Sequence, residues 1–204
     1  MRTGLFLQTG IYGMDRVRSR NIINKIKPGS IILMGRDFTG LDSIRELIKW
    51  IFEIYDKELK IARPLIAIDQ EGGNVVRIRD LDYLPSNYAL GVLGSKAVSR
   101  YSGMLTGYQL YSLGIEWNLA PVLDTFSNPD NPIVMERSFG SDPELVSDLG
   151  DSYIEGIQSA GVSATAKHFP GHSLTSPLDL SGTIASLLSA LKFFLKTPVG
   201  GSLF

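Results

Sequence analysis

Short apolar runs that end in charged residues, separated by stretches of helical periodicity, leave this chain few folds to choose from. Ser30-Ile31-Ile32-Leu33-Met34-Gly35 is a continuous apolar run, the pattern of a strand buried on both faces, and Arg36-Asp37 follow at once. Pro64 to Ile68 repeats the pattern and runs into Asp69-Gln70-Glu71. Leu5 to Thr9, Ile115 to Leu123 and Gly161 to Ala166 read as three further strands.

Helical patterns fill the gaps. Val17, Ile22, Ile23 and Ile26 mark a weakly amphipathic helix that Pro28-Gly29 stops. Ser43 and Glu46 form a capping box ahead of an apolar face of Leu47, Ile48, Ile51, Ile54 and Tyr55. Val98, Tyr101, Leu105 and Tyr108 recur at helical spacing within Ser95 to Leu113, and Gly114 suits the position after that helix. A second capping box, Ser141-Asp142-Pro143-Glu144, opens a helix carrying Leu145, Leu149, Tyr153, Ile157 and Ala160. Such alternation of strand, polar loop and helix predicts an α/β fold with a parallel sheet and right-handed crossovers.

In that architecture ligands bind at the loops beyond the carboxyl ends of the strands. Four clusters of polar residues fall there, and each has a bland reading. Asp69 and Glu71 are two apart and precede Gly72-Gly73, which lets the backbone bend sharply. They are either a paired acid and base or, as an isolated Asp-Gln-Glu more often is, a solvated acidic turn. Arg137 lies in a loop rich in Asn and Pro; most arginines are surface residues, yet a guanidinium there offers a rigid fork of donors. Asp124 either orients that loop or touches a ligand.

Lys167 and His168 end the last strand, and both histidines of the chain, His168 and His172, lie within Lys167-His168-Phe169-Pro170-Gly171-His172. The four-residue spacing of the histidines matches a helical zinc pair. Pro170-Gly171 prevents a helix, however, and no acidic third ligand is near, so no metal is expected. Lys167 could form a Schiff base only in an apolar pocket, of which its imidazole neighbour gives no hint.

The formal charge of −1 argues against nucleic acid or an anionic membrane as partner. The chain has no cysteine, no signal-peptide pattern at its start and no apolar run long enough to span a bilayer, so a cytoplasmic protein is the expectation.

The Lys167–His172 stretch resembles the signature of family 3 glycoside hydrolases, in their β-N-acetylglucosaminidase branch. The β-glucosidase branch shares the Lys-His pair but not the Pro-Gly-His. Ile68 to Gly73 and Asn131 to Gly140 agree with the family in order and spacing, and the resemblance covers about residues 30–172. It implies a (β/α)8 TIM-barrel-like fold. A typical barrel needs about 250 residues, so with 204 residues an incomplete barrel of about five βα units is expected here.

The resemblance further implies hydrolysis of terminal β-linked N-acetylglucosamine, in carbohydrate metabolism or cell-wall recycling. It implies a small carbohydrate as the partner and no cofactor. Asp69 would accept sugar hydroxyls, Lys167 and His168 would donate to them, and Arg77 and Arg137 would help hold the same sugar. His172 would close the loop.

In this branch the acid/base is a histidine in a Gly-His-Gly-x-Thr-x-x-Asp-Ser-His loop, and the nucleophilic Asp lies on a later strand. Thr175 and Asp179 echo the loop, but there is no third histidine, and residues 183–204 contain no Asp or Glu. Residues 1–172 therefore read as a partial barrel and 173–204 as a divergent tail, a candidate for disorder, of the kind a shifted reading frame would give. The chain is expected to be truncated and inactive alone. A non-catalytic sugar-binding or pseudogene product is the alternative, ahead of a Schiff-base lyase on a similar barrel.

Overall fold

The computed structural model describes residues 3–128, 131, 133–169 and 171. Its centre is a parallel sheet of five strands: β1 (Gln8–Gly10), β2 (Ser30–Leu33), β3 (Leu65–Ile68), β4 (Trp117–Asn118) and β5 (Ser163–Ala164). They lie side by side in chain order, all parallel. A doubly wound sheet would reverse its order at some point; a barrel wall does not. The α/β architecture expected from the sequence is therefore present, with five consecutive strands of such a wall.

Helices fill every crossover: α1 (Arg16–Ile26), α2 (Leu41–Glu53), α3 (Asn87–Leu93), α4 (Lys96–Tyr111) and α5 (Pro143–Ser159). Ile31, Leu33, Ile66 and Ile68 from the central strands meet Ile44, Leu47 and Ile51 of α2, all with no exposed surface. Each such side chain contributes about 1.5–3 kcal/mol on burial. Between α4 and α5 the contact is made by backbone. A Cβ on Gly103 would overlap the Tyr153 carbonyl oxygen, and one on Gly156 the Arg100 carbonyl oxygen. Two polar bonds tie the same helices: Ser99 Oγ donates to the Leu149 carbonyl at 2.7 Å, and the Thr106 and Tyr153 hydroxyls are 3.0 Å apart.

Several local expectations shift. Leu5 to Leu7 is not strand; Thr3–Phe6 is a 3-10 turn and β1 begins at Gln8. The Gly29 amide donates to the Gly4 and Leu7 carbonyls, so this segment bonds to the turn before β2 instead of joining the ladder. Ser43 does not cap α2, which begins earlier, after Gly40. Its hydroxyl instead accepts from the Thr39 amide at 3.1 Å. In α5 the cap is Asp142, whose Oδ1 accepts from the Glu144 amide at 3.0 Å. The run Ile115 to Leu123 is strand only at Trp117–Asn118, since Pro121 has no amide to give the ladder. Pairing resumes as one bridge between Val122 and Lys167. The short helix α3, capped by the Ser86 hydroxyl on the Ala89 amide, was not anticipated.

Candidate active site

Three strand ends build the site. Asp69-Gln70-Glu71 follow β3, Asp124 follows the β4 segment, and Lys167-His168 follow β5. The frame beneath them is set by two amides. Asn118, fully buried, accepts from the Gln70 amide through Oδ1 at 3.0 Å and donates to the Gln70 carbonyl through Nδ2 at 2.9 Å. Its side chain thus prolongs the pairing of β3 and β4 by one residue. Gln70 Oε1 in turn accepts from the amides of Arg77 and Ile78 at 2.9 and 3.2 Å. That folds the loop back and brings Arg77 to Asp69.

On this frame the charged groups alternate. Lys167 Nζ donates to Asp69 Oδ1 at 2.8 Å and lies 2.6 Å from Glu71 Oε1. Arg77 Nη2 is 3.6 Å from Asp69 Oδ2. Arg137 grips Glu71 with two parallel bonds, Nε to Oε2 at 2.9 Å and Nη2 to Oε1 at 3.0 Å. These bonds push the Arg137 guanidinium above its already high value, so it is a permanent cation. The 3-10 turn Met135–Arg137 sets its position, with the Arg137 carbonyl accepting from Asn87 Nδ2 at 2.7 Å.

His168 is held from behind by Asp124, whose Oδ2 is 2.7 Å from Nδ1 and 3.3 Å from the His168 amide. A carboxylate partner assigns the ring proton to Nδ1. Nε2 lies 3.5 Å from Arg137 Nη2. Asp124 has no exposed surface, and its carbonyl accepts from Ser138 Oγ at 2.6 Å, so it orients both the imidazole and the arginine loop.

All five expected site residues, Asp69, Arg77, Arg137, Lys167 and His168, come together. Their side chains are 16%, 36%, 21%, 13% and 26% exposed, whereas those of Glu71 and Asp124 are 2% and 0% exposed. The site thus has a partly open row backed by two closed carboxylates. The buried role of Glu71 was not foreseen; its position two residues after Asp69, on the same side of an extended chain, was the available signal. His172, Pro170, Thr175, Asp179 and the tail 173–204 lie outside the described residues.

The family model for the N-terminal domain of glycosyl hydrolase family 3 matches residues 7–183. The chain belongs to glycosyl hydrolase family 3. The match extends on both sides of the 30–172 that the motifs alone carry. The chain is 34% identical over 164 residues to a β-hexosaminidase of Thioalkalivibrio sulfidiphilus, covering 75% of this chain and 44% of that protein. It is 41% identical over 160 residues to β-hexosaminidase A of Pseudoalteromonas piscicida, covering 76% of this chain and 27% of that protein. It therefore spans less than half the length of these curated relatives.

Among solved structures, a family 3 β-N-acetylglucosaminidase from Paenibacillus sp. superposes with a TM-score of 0.86 at 32% identity, over 96% of this chain and 40% of that one. NagZ from Neisseria gonorrhoeae, in complex with N-trifluoroacetyl-D-glucosamine, gives 0.76 at 25% identity, over 92% of this chain and 58% of that one. The five strands of this family 3 chain are thus part of a TIM-barrel-like domain. No helix among its described residues is long and apolar enough to cross a membrane.

Proposed function

We propose that this family 3 domain recognises a terminal β-linked N-acetylglucosamine through the partly open row Asp69, Arg77, Arg137, Lys167 and His168. The exposure pattern carries this reading. The five groups keep polar atoms available, and Glu71 and Asp124 are spent on holding them. Asp69, with an ammonium and a guanidinium already on it, presents its remaining lone pairs to sugar hydroxyls. Lys167 and Arg137 donate to hydroxyl oxygens. A cysteine-free chain is compatible with the cytosol as the place of action.

The reaction class is retaining glycoside hydrolysis, in which a carboxylate attacks the anomeric carbon while an acid protonates the leaving oxygen. Neither part is supplied by the described residues of the site, because Asp69, Glu71 and Asp124 each hold a cation or imidazole. We therefore infer that this chain binds the sugar and does not cleave its bond alone. A Schiff-base lyase is disfavoured: its lysine must offer a nitrogen lone pair, and Lys167 Nζ instead contacts two carboxylates.

Titration calorimetry of the whole chain with N-acetylglucosamine tests the binding half. Weak binding is expected, and Asp69→Ala should abolish it, since a charged hydrogen-bond partner is worth about 1.5–3 kcal/mol. Equal affinity in both proteins removes the assignment. For the catalytic half, 4-nitrophenyl N-acetyl-β-glucosaminide should release no nitrophenol beyond a Lys167→Ala/His168→Ala control. Turnover above that control would show catalytic groups outside those described.

A further inference from the structure

On the Arg77 side of the charged row lies a cavity of about 650 Å³ that the sugar reading does not use. The loop after β2 supplies Arg36 and Phe38, and the segment 76–80, held in place by Gln70, supplies Val76, Arg77, Arg79 and Asp80. Three arginines and one aspartate thus line it. Asp80 is itself placed against the start of α2: a Cβ on Gly40, which ends that helix without a side-chain cap, would come 3.2 Å from Asp80 Oδ2. A carboxylate is stabilised at a helix amino terminus, and Asp80 forms no ion pair with Arg36 or Arg79 among the described residues.

Arg36 and Arg79 are exposed and enter no ion pair among the described residues. Arg77 Nε is buried and has no hydrogen-bond partner among them. Buried donors are almost always satisfied, and the two unpaired arginines, with the free Nε of Arg77 beside them, make the cavity favourable to an anion. Guanidinium forks match tetrahedral oxoanions with paired, charge-assisted bonds. Arg77 also joins the two places, since it lines the cavity while its Nη2 stays 3.6 Å from Asp69 Oδ2. A group attached to a sugar at Asp69 therefore reaches the arginines directly, with Phe38 and Val76 as an apolar wall for its connecting atoms.

We propose that this cavity binds an oxoanion ester, a sulfate or a phosphate, carried by the sugar held at Asp69. This rests on the sugar-binding reading of the preceding section and narrows it to acidic glycans.

Calorimetric titration of the whole chain at low salt tests it, with four kinds of probe. These are N-acetylglucosamine, its 4- and 6-sulfates, its 6-phosphate, and inorganic sulfate. At least one ester should bind tenfold or more tightly than the uncharged sugar, and which ester does so identifies the anion. The Arg36→Gln/Arg79→Gln variant should lose that gain yet keep its affinity for the uncharged sugar; both side chains are exposed, and matched thermal melts check its fold. Equal affinity for esters and uncharged sugar overturns the cavity proposal and leaves the sugar site standing. A gain that survives in the double variant also overturns it. Inorganic sulfate bound without any sugar binding overturns the sugar reading and, with it, this proposal.

Discussion

Glu71 lies 2.6 Å from Lys167 Nζ with its own side chain only 2% exposed, and the same carboxylate takes both bonds from Arg137. Two cations of the proposed sugar site are therefore fixed by an anion that is itself closed to solvent. Removing one partner of a buried charge cluster costs about 3–5 kcal/mol. Glu71→Ala is expected to lower the unfolding free energy by an amount in that range, read as a lower urea midpoint at unchanged slope, and to abolish sugar binding together with it. An unchanged midpoint would mean that solvent replaces Glu71 at no cost and that the closed row is not structural.

Asn118 gives a different kind of test, because it carries no charge. In Asn118→Leu the amide and carbonyl of Gln70 lose both partners in a buried place, at about 1–3 kcal/mol for each group left unsatisfied. A lowered melting temperature and a weakened sugar site are expected together, since the strand end that bears Asp69 and Glu71 loses its tie to β4. Retained affinity in a destabilised protein would separate the frame from the site.

The α4–α5 contact allows no added carbon. Gly156→Ala places a methyl group on the Arg100 carbonyl, and overpacking of this kind costs about 1–3 kcal/mol. A melt unaltered by Gly156→Ala would show that the helices separate freely.

At high pH the same interface should open. Burial pushes the Tyr153 phenol up to about 12, with the Thr106 hydroxyl opposing this slightly. The native state then holds this proton through a range in which the unfolded chain, at about 10, has lost it. The stabilisation is fully present below about pH 10 and disappears as the pH climbs to about 12. Urea midpoints should fall across that window in the parent and fall less steeply in Tyr153→Phe. Parallel slopes in the two proteins would refute the burial argument.

The central strands were legible because Ile31, Leu33, Ile66 and Ile68 are buried on both faces, which leaves a continuous apolar signature. Helix starts were less so. Ser43 satisfies the general pattern of a cap, but the hydroxyl is used one turn back, on Thr39, and a local motif cannot tell these apart. The strand read over Ile115 to Leu123 is there only at Trp117–Asn118, and the seven-residue α3 shows no helical repeat. The open row of the site was legible from its place at strand ends and from the motifs. Its backing was not, because the bonds of Glu71 to Arg137 and of Asp124 to His168 join segments far apart in sequence.

Asp69, Glu71 and Asp124 contribute three negative charges, and Arg77, Arg137 and Lys167 three positive ones. Leaving His168 aside, the row sums to zero within a few ångströms, less than the roughly 8 Å over which physiological salt screens a field. Such a row, taken by itself, orients a ligand on contact and exerts no net pull from a distance. On the sugar-binding reading proposed above, an uncharged sugar would arrive by unbiased diffusion, at a rate indifferent to ionic strength, and meet the field of the row only once seated.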